Sequence, residues 1–494
     1  MTRHDIRFAE APVEIIQRFV RSVRTEDSRC MPLSVFDEWM AARIAASKVH
    51  VERIEFRDLQ GWSFSRETGN LGHISGKFFS LQGIHVLTDR GAMSQWLQPI
   101  LVQPEIGILG IIAREFDGVL HFLMQAKMEP GNIGLVQLSP TVQATRSNYT
   151  GVHRGQPIRY HEYFTGKRPS RVLVDVLQSE LSAWFYHKRN RNTVVEVTDE
   201  VQVTDEFCWL TLGQIHQIMR IKNLINMPTR SVLSCIPLGD AGIAIGSAQS
   251  GFAGAVARSF VKSRSDPQAM FNLLSWITSV RTRRELIARL VPLTDTEAAG
   301  WTRTERSVRH ISGRFFEVVA VSVHGAGREV DSWRQPLLSP AGRGLLVFLT
   351  KQIGDVLHVL IQARVDAGTL NVAELAPTVQ CHPGNYSHLP AEQRPPYLGY
   401  VLAADRTRVR YDTMQSEEGG RFYQAENRYM VIEVEPEFSD HNDPPEDFRW
   451  VTLNQLNQLL GHSNYLNVEA RTLLACMQSV PAGSADAKIP ARLG

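Results

Sequence analysis

His73-Ile74-Ser75-Gly76-Lys77-Phe78-Phe79 returns as His310-Ile311-Ser312-Gly313-Arg314-Phe315-Phe316, displaced by 237 positions (73 to 310). The same displacement carries Trp96, Gln98 and Pro99 onto Trp333, Gln335 and Pro336, and Gln125-Ala126-Lys127 onto Gln362-Ala363-Arg364. It carries Pro140-Thr141-Val142-Gln143 onto Pro377-Thr378-Val379-Gln380, and Asn148-Tyr149 onto Asn385-Tyr386. It carries Gln178-Ser179-Glu180 onto Gln415-Ser416-Glu417, and Glu196 onto Glu433. A register kept without a gap from 73 to 196 is the mark of a duplication, so each copy is expected to hold a version of one pocket.

Working outward, 494 residues are too many for one ordinary core. The hydrophobic share of 43% and charged share of 21% are those of a soluble globular chain. A net charge of +2 carries no nucleic-acid or membrane-surface footprint. The start, Met1-Thr2-Arg3-His4-Asp5, lacks the apolar run of a signal peptide. The five cysteines form no CxxC pair, which argues against a thiolate zinc site, and their odd number without a secretion signal points to the reducing cytoplasm. Cys235 and Cys476, at equivalent positions in apolar surroundings, read as buried structural thiols. Residues 1–240 are expected to be the first repeat, 241–266 a Gly/Ala/Ser-rich linker rather than a membrane span, and 267–494 the second repeat with a loose tail.

Each repeat reads as α+β. Val13–Arg24 and Ser34–Ala46 in the first half, and Pro267–Leu290 in the second, space apolar residues as helices do. A mainly β segment follows in both. Leu120–Lys127 alternates, with His121, Leu123, Gln125 and Lys127 on one face and Glu129 continuing the stripe; His358, Leu360, Gln362, Arg364 and Asp366 repeat it. Such a face is either the floor of a polar pocket or a solvated face with paired charges. Further strands are expected at Arg171–Glu180 and Val194–Val197. Thr211 and Thr452 are candidate N-caps of the short helices that follow Trp209 and Trp450.

The chain holds no Walker A loop, no strand-coupled GxGxxG, no HExxH and no GxSxG elbow. Two carboxylate–amide–aromatic clusters remain: Asp175, Gln178, Ser179, Glu180, Phe185, Tyr186 and Asn190, and Asp412, Gln415, Ser416, Glu417, Phe422, Tyr423 and Asn427. A glutamate among apolar groups has a raised pKa suited to acid–base work; a structural carboxylate inside a hydrogen-bond network is the other reading. The copies diverge beside this motif. The second runs Glu417-Glu418-Gly419-Gly420-Arg421, where Arg421 could grip a phosphate or sugar oxygen. The first carries Lys188, Arg189 and Arg191, either a pyrophosphate-neutralising run or an exposed turn.

The sequence resembles the NDP-hexose 2,3-dehydratases of deoxysugar biosynthesis. Residues carrying the resemblance are Gly72–Phe79, Gln178–Phe185, Lys188–Asn192, Gln415–Tyr423 and the two Leu-Xaa-Pro-Thr-Val-Gln runs, within a match from about Trp39 to Met477. It implies tandem Nudix-like domains, each a mixed sheet packed with helices, assembled as a homodimer. It also implies a dTDP-4-keto-6-deoxyglucose substrate and a downstream 3-ketoreductase. The Arg-Glu-x-x-Glu-Glu core of a Nudix box is absent from both halves, which favours a lyase over a hydrolase and no catalytic metal. The implied chemistry removes the C3 proton next to the C4 ketone, expels the C2 hydroxyl and yields a 3,4-diketo-2,6-dideoxy sugar, with no redox cofactor.

On that reading Glu180 or Glu417 is base or acid, with Tyr186 or Tyr423 as proton partner. His73 with Lys77, or His310 with Arg314, orients the sugar or stabilises the enolate. Gln125, Lys127, Gln362 and Arg364 line the floor, and Trp96 or Trp333 either stacks on thymine or belongs to the core. Asn148, Tyr149, Asn385, Tyr386, Arg189 and Arg421 complete the substrate-binding set. The rivals are a nucleotide-sugar-binding protein without turnover and a Nudix-type hydrolase. Which repeat is catalytic stays open at this stage.

Overall fold

The computed structural model describes residues 13–89, 93–149, 157–238, 251–261, 267–325, 332–435, 438 and 444–480. The first repeat runs α1 (Val13–Arg24), α2 (Leu33–Ala46), β1 (His50–Ile54), β2 (Trp62–Phe64), β3 (Leu71–His73), β4 (Ser80–Thr88), β5 (Gln95–Val102), β6 (Gly107–Phe116), β7 (Val119–Met128), β8 (Val136–Ser139) and β9 (Val142–Ala144). It continues through α3 (Arg146–Tyr149), α4 (His161–Phe164), β10 (Arg171–Ser179), β11 (Arg189–Glu196), β12 (Phe207–Leu210), α5 (Leu212–Ile218) and α6 (Met227–Ser234). The second repeats the plan: α7 (Gly251–Ser259), α8 (Pro267–Arg283), β13 (Leu286–Val291), β14 (Trp301–Arg303), β15 (Ser307–His310), β16 (Phe316–His324), β17 (Ser332–Pro340), β18 (Gly344–Ile353), β19 (Val356–Arg364), β20 (Glu374–Ala376) and β21 (Val379–Cys381). It closes with α9 (Leu398–Leu402), β22 (Val409–Ser416), β23 (Glu426–Glu433), β24 (Phe448–Thr452), α10 (Leu453–Leu460) and α11 (Val468–Gln478).

Each repeat builds a seven-stranded main sheet, ordered β10-β11-β6-β7-β12 with β8 and β9 attached, and β20-β19-β18-β23-β22 with β21 and β24 attached. The β6–β11 and β18–β23 pairs are parallel and the other pairs antiparallel, so both sheets are mixed. The alternation of β7 places Leu120, Phe122 and Met124 in the large core beneath the helices. In α1, Ile15, Phe19 and Val20 fall on one face and are buried there, and a side chain of this size contributes roughly 1.5–3 kcal/mol when fully buried. Thr211 and Thr452 cap α5 and α10 as expected, each in a capping box with Gln214 or Gln455. Cys235 and Cys476 are buried, and Cys30 is exposed.

Two further sheets are shared between the repeats. Strand β1 pairs with β16 of the second repeat, His50 opposite His324. Strand β13 pairs with β4 of the first, Ile287 opposite Leu87. These pairings are equivalent under the 237-residue displacement, so the repeats exchange a strand reciprocally. This corrects the helix expected to reach Leu290: α8 ends at Arg283, and Leu286–Val291 extends to complete the other repeat's sheet. Within the stretch expected to be a flexible or loosely helical linker, Gly251–Ser259 forms a helix with buried residues. Ser259 Oγ donates to the Leu357 carbonyl and accepts from the Leu453 N–H, as Ser22 does with Leu120 and Leu212, so α7 is the counterpart of α1. The remaining linker residues, 239–250 and 262–266, and the tail from 481 lie outside the described residues.

Loop-to-loop contacts complete the exchange. The Gly131 N–H donates to Gly419 O at 2.8 Å and the Gly368 N–H to Ser182 O at 2.7 Å. A Cβ would stand 1.7 Å from Phe422 O at Gly131 and 1.8 Å from Phe185 O at Gly368, so only glycine permits the approach. We expect Gly131→Ala and Gly368→Ala each to lower unfolding stability by about 1–3 kcal/mol or more through overpacking against fixed backbone. Gly342→Ala, which meets nothing within 4 Å, is the control for the urea titration and should be near neutral.

Candidate functional site

The tandem register makes Glu180 and Glu417 equivalent, yet their surroundings differ. Glu180 follows β10, where its backbone N–H donates to Lys188 O at 3.0 Å. Asn190 at the start of β11 accepts from the Gly107 N–H through Oδ1 and donates through Nδ2 to Glu180 Oε1 at 2.8 Å. Glu180 lines a cavity of about 420 Å³. Glu417 accepts from Asn427 at 2.7 Å and also from the fully buried Tyr429 hydroxyl at 3.1 Å, and it is not among the cavity-lining residues. Asn192 stands where Tyr429 would be in the first repeat.

Both repeats build the cavity. The first supplies Trp62, His73, Phe79, Lys127, Glu129, Gln143, Asn148, Glu180, Phe185, Lys188 and Asn190. The second supplies His324 from β16, Trp333, Arg334 and Gln335 from β17, and Glu418, Gly420 and Arg421 from the loop after β22. Gln335 holds that loop in place by donating to Gly420 O at 2.8 Å while it accepts from Trp333 Nε1 at 2.9 Å. Arg421 lies over the Phe79 ring at 4.6 Å.

At the second repeat's equivalent of this site the place of Arg421 is taken by Trp184, which the first repeat contributes. Its ring lies 4.9 Å from that of Phe422 and 6.3 Å from that of His382. The counterparts of these two residues, Phe185 and Thr145, line the first-repeat cavity. Indole thus takes up space that is open in the first repeat. Leu181, buried in the core between the repeats, stands where the second repeat has Glu418.

Burial raises the Glu180 carboxyl above the usual carboxylate value, while Arg471, the Asn190 bond and Lys188 oppose the rise. Burial lowers the Lys188 ammonium to about 8 against the favourable charge of Glu180, and its Nζ donates to Glu105 O. Burial and the neighbouring Glu129 push the Glu418 carboxyl up to about 7, opposed by Arg421. Lys127 donates to Gln143 O at 2.9 Å, and Gln143 donates to Glu129 at 2.8 Å. The site therefore holds two buried carboxyl groups, both with raised proton affinity, beside cations, a suitable set for moving protons across a sugar.

A sequence profile described as NDP-hexose 2,3-dehydratase matches residues 33–236 and again 270–477. The chain belongs to the NDP-hexose 2,3-dehydratase family. It is 49% identical over 468 residues to the dTDP-4-dehydro-6-deoxy-alpha-D-glucopyranose 2,3-dehydratase of Amycolatopsis orientalis, covering 93% of this chain and 91% of that one. The protein of the same name from Saccharopolyspora spinosa is 48% identical over 466 residues, covering 94% and 95%. That of Streptomyces violaceoruber is 44% identical over 449 residues, covering 90% and 97%. Among the described residues of this dehydratase-family chain, no helix is long and apolar enough to cross a membrane.

Of the residues expected from the sequence, Glu180, His73, Lys127, Asn148, Trp333 and Arg421 meet at the cavity of this family member. Others lie elsewhere. Tyr186 packs against Ile84, Val86, Ile100 and Ala367, with its ring stacked on His187 at 3.9 Å, and Tyr423 packs against the large core. Lys77 is exposed at the turn after β3, and Arg314 reaches His388 at 3.0 Å. His310 is held by Ser312 at 2.6 Å and Ala299 O at 2.8 Å. Trp96 donates to Gln98 at 2.9 Å and packs with the Ile84 cluster. Gln125, Gln362 and Asn385 are outside the lining, and Tyr149 and Tyr386 pack against hydrophobic clusters. Arg364 is paired with Asp366 at 2.9 Å.

Of the basic run, Lys188 alone lines the cavity. Arg191 pairs with Asp175 at 2.6 Å, and Arg189 sits in β11 opposite Ser179. His121, at the far end of the β7 stripe, bonds to Ser28 at 2.6 Å and to Val119 O at 2.9 Å, so the polar face is pocket floor only at its Lys127–Glu129 end. The sequence reading assigned no role to Trp62, Gln143 or Arg334, took Glu129 as the continuation of the polar stripe, and did not place Glu418 in a site. For Glu418 the signal was the replacement of Leu181 within an otherwise kept motif.

Proposed function

We propose that this chain is a dTDP-4-keto-6-deoxyglucose 2,3-dehydratase whose reaction takes place in the cavity of the first repeat. The activity follows from the family and from three relatives of that name aligned along nearly the whole chain. The observation that carries the choice of site is the contrast between two equivalent glutamates. Glu180 faces an open cavity lined by cations, whereas Glu417 is enclosed by Asn427 and Tyr429.

Glu180 is the base that takes the C3 proton. The electron pair left behind moves onto the C4 oxygen, where Lys127 and Lys188 supply positive charge. The enolate re-forms the ketone as the C2–O bond breaks, and the 3-enol becomes the 3,4-diketone by proton shift. Asn148 and Gln143 hydrogen-bond the sugar, and His73 closes the site beside Trp62, its ring edge-on at 5.3 Å. Trp333 and Arg334, at the outer wall, take the thymine and a pyrophosphate oxygen.

The finer architectural reading is a pair of Nudix-like units, supported by two mixed main sheets of one plan. The product is a reactive diketone, so a 3-ketoreductase is the partner that consumes it. A homodimer is the assembly we assign from the family resemblance.

The test incubates purified protein with dTDP-4-keto-6-deoxyglucose and EDTA, adding a 3-ketoreductase and NADPH to trap the product. The expected product has lost water and gained two hydrogens, and is absent when the protein is omitted. Unchanged substrate that nevertheless binds would favour a binding protein, and dTMP formed only with magnesium would favour a hydrolase.

A further inference from the structure

We propose that Glu418, contributed by the second repeat, is the catalytic acid that protonates the departing C2 hydroxyl in the first repeat's cavity. This assignment rests on the dehydratase reading and extends it to a second residue and to the role of the duplication.

The argument begins with the loop 417–423. Its carbonyls and N–H groups are tied to β17 of its own repeat, with Leu338 N donating to Arg421 O at 2.9 Å and Tyr423 N to Leu338 O at 2.8 Å. Its Gly419 is tied to Gly131 of the other repeat. These bonds hold Glu418 at the wall of a cavity whose floor belongs to the first repeat. Gly420 keeps the space clear: a Cβ there would stand 2.3 Å from Glu418 Oε1 and 3.4 Å from Glu129 Oε1. The two carboxylates are therefore neighbours around one small volume.

Their roles separate by partners. Glu129 accepts a hydrogen bond from the Gln143 amide at 2.8 Å and has the Lys127 ammonium at 3.8 Å. Glu129 also has a counterpart, Asp366, in the repeat whose glutamate is enclosed. Glu418 has none, because the equivalent residue is Leu181. The charged groups facing Glu418 are Glu129, Glu180, Lys127, Arg421 and Lys188. Burial and the neighbouring Glu129 favour the protonated acid, and the Glu418 carboxyl stands at about 7. Glu180, with Arg471 and Lys188 favouring its charge, is the better base. Two buried carboxyl groups on one cavity, one held by the Asn190 amide and the other beside a further carboxylate, supply the base and the acid that an elimination needs.

The proton balance closes without another reactant. Glu180 takes the proton from C3 as the C–H bond breaks and the enolate forms. The C2–O bond then breaks, a C2–C3 double bond forms, and the leaving oxygen takes the Glu418 proton to become water. In the final tautomerisation Glu180 returns a proton to C2, and the Glu418 carboxylate accepts the proton of the C3 enol hydroxyl. Both groups end as they began.

The test separates the two half-reactions. Wild-type protein, Glu418→Gln, Glu418→Asp and Glu180→Gln are incubated with the substrate in D2O. NMR follows deuterium entry at C3, and the ketoreductase trap follows water loss. Binding of dTDP, measured calorimetrically, reports an intact site. Glu418→Gln is expected to lose about 10²–10⁴-fold in dehydration, the usual contribution of a positioned acid, while C3 exchange and dTDP binding persist. Glu418→Asp, which keeps a carboxylic acid, should recover part of the dehydration. Glu180→Gln should lose exchange and dehydration together. Dehydration by Glu418→Gln at the wild-type rate overturns the proposal. So does loss of C3 exchange with dTDP binding intact, or Glu418→Asp that folds and binds but is no better than Glu418→Gln. A wild-type protein that neither exchanges nor dehydrates removes the functional reading itself, a result distinct from any of these.

Discussion

Glu180→Gln should lower kcat by about 10²–10⁴-fold, the range for removing a positioned general base, while Glu417→Gln should leave kcat within about tenfold of wild type. The sequence gives the two glutamates the same motif; geometry divides them. Glu180 opens onto the cavity, held by a single amide from Asn190. Glu417 accepts from both Asn427 and Tyr429 and faces the buried Arg230 charge. Its neutralisation should show as lost stability, because Arg230 is then a buried cation with less compensation. The pH dependence has a definite sign. Burial raises the folded pKa of Glu180 above the ordinary 4.5, and a base acts only when ionised. The acid limb of kcat should therefore lie above 4.5, with activity lost as pH falls through it. Both variants are to be assayed with the coupled ketoreductase after unfolding midpoints are matched. Glu180→Gln turning over at the wild-type rate, or Glu417→Gln losing as much as Glu180→Gln with its fold intact, would reverse the assignment of the working repeat.

How much of this was legible depends on the distance over which the sequence speaks. The duplication, the strands at 120–127 and 171–180, and the caps at Thr211 and Thr452 could be read because register, alternation and capping are local. The exchange of β1 and β13 could not. A five- or six-residue strand carries no mark of which sheet edge it joins, and Leu286–Leu290 has spacing that a preceding helix can absorb. The helix Gly251–Ser259 was hidden by its composition. Small residues were read as a flexible or loosely helical linker, and their packing went unread: Gly254, Ala255 and Ser259 are buried and Ser259 bonds to the Leu357 carbonyl. The site was half legible for a related reason. Comparing the copies tied Arg421 to Glu417 in one pocket, but the loop crosses to the pocket of Glu180. The informative positions were the departures, Leu181 against Glu418 and Trp184 against Arg421. They separate a cavity with an acid and a cation from one filled by indole.

Arg471→Met should cost about 3–5 kcal/mol of stability, the scale for breaking a buried charge network by removing one partner. It should also move the acid limb of kcat to higher pH. The guanidinium of Arg471 on α11 is fully buried and donates to Ser179 O at 2.5 Å and Leu466 O at 2.7 Å. It thereby joins the last helix of the second repeat to the Gln-Ser-Glu motif of the first. Its charge faces Glu180, where it lowers the pKa against the rise caused by burial, and Glu374, whose carboxyl burial pushes up to about 7. Removing that charge leaves Glu180 easier to protonate, so a larger share of the base is lost at any pH on the acid side. Arg230→Met is the matched control. Arg230 on α6 makes the reciprocal contacts, to Ile225 O at 2.6 Å and Ser416 O at 2.7 Å, and its charge faces Glu417. It should lose comparable stability with no displacement of the acid limb. Urea unfolding and kcat–pH profiles of the two variants and of Arg471→Lys, which keeps the charge, decide the matter. Equal displacement in both Met variants would mean that the profile follows general loosening of the fold rather than the field at Glu180. No displacement in Arg471→Met would remove Glu180 as the group that sets the limb.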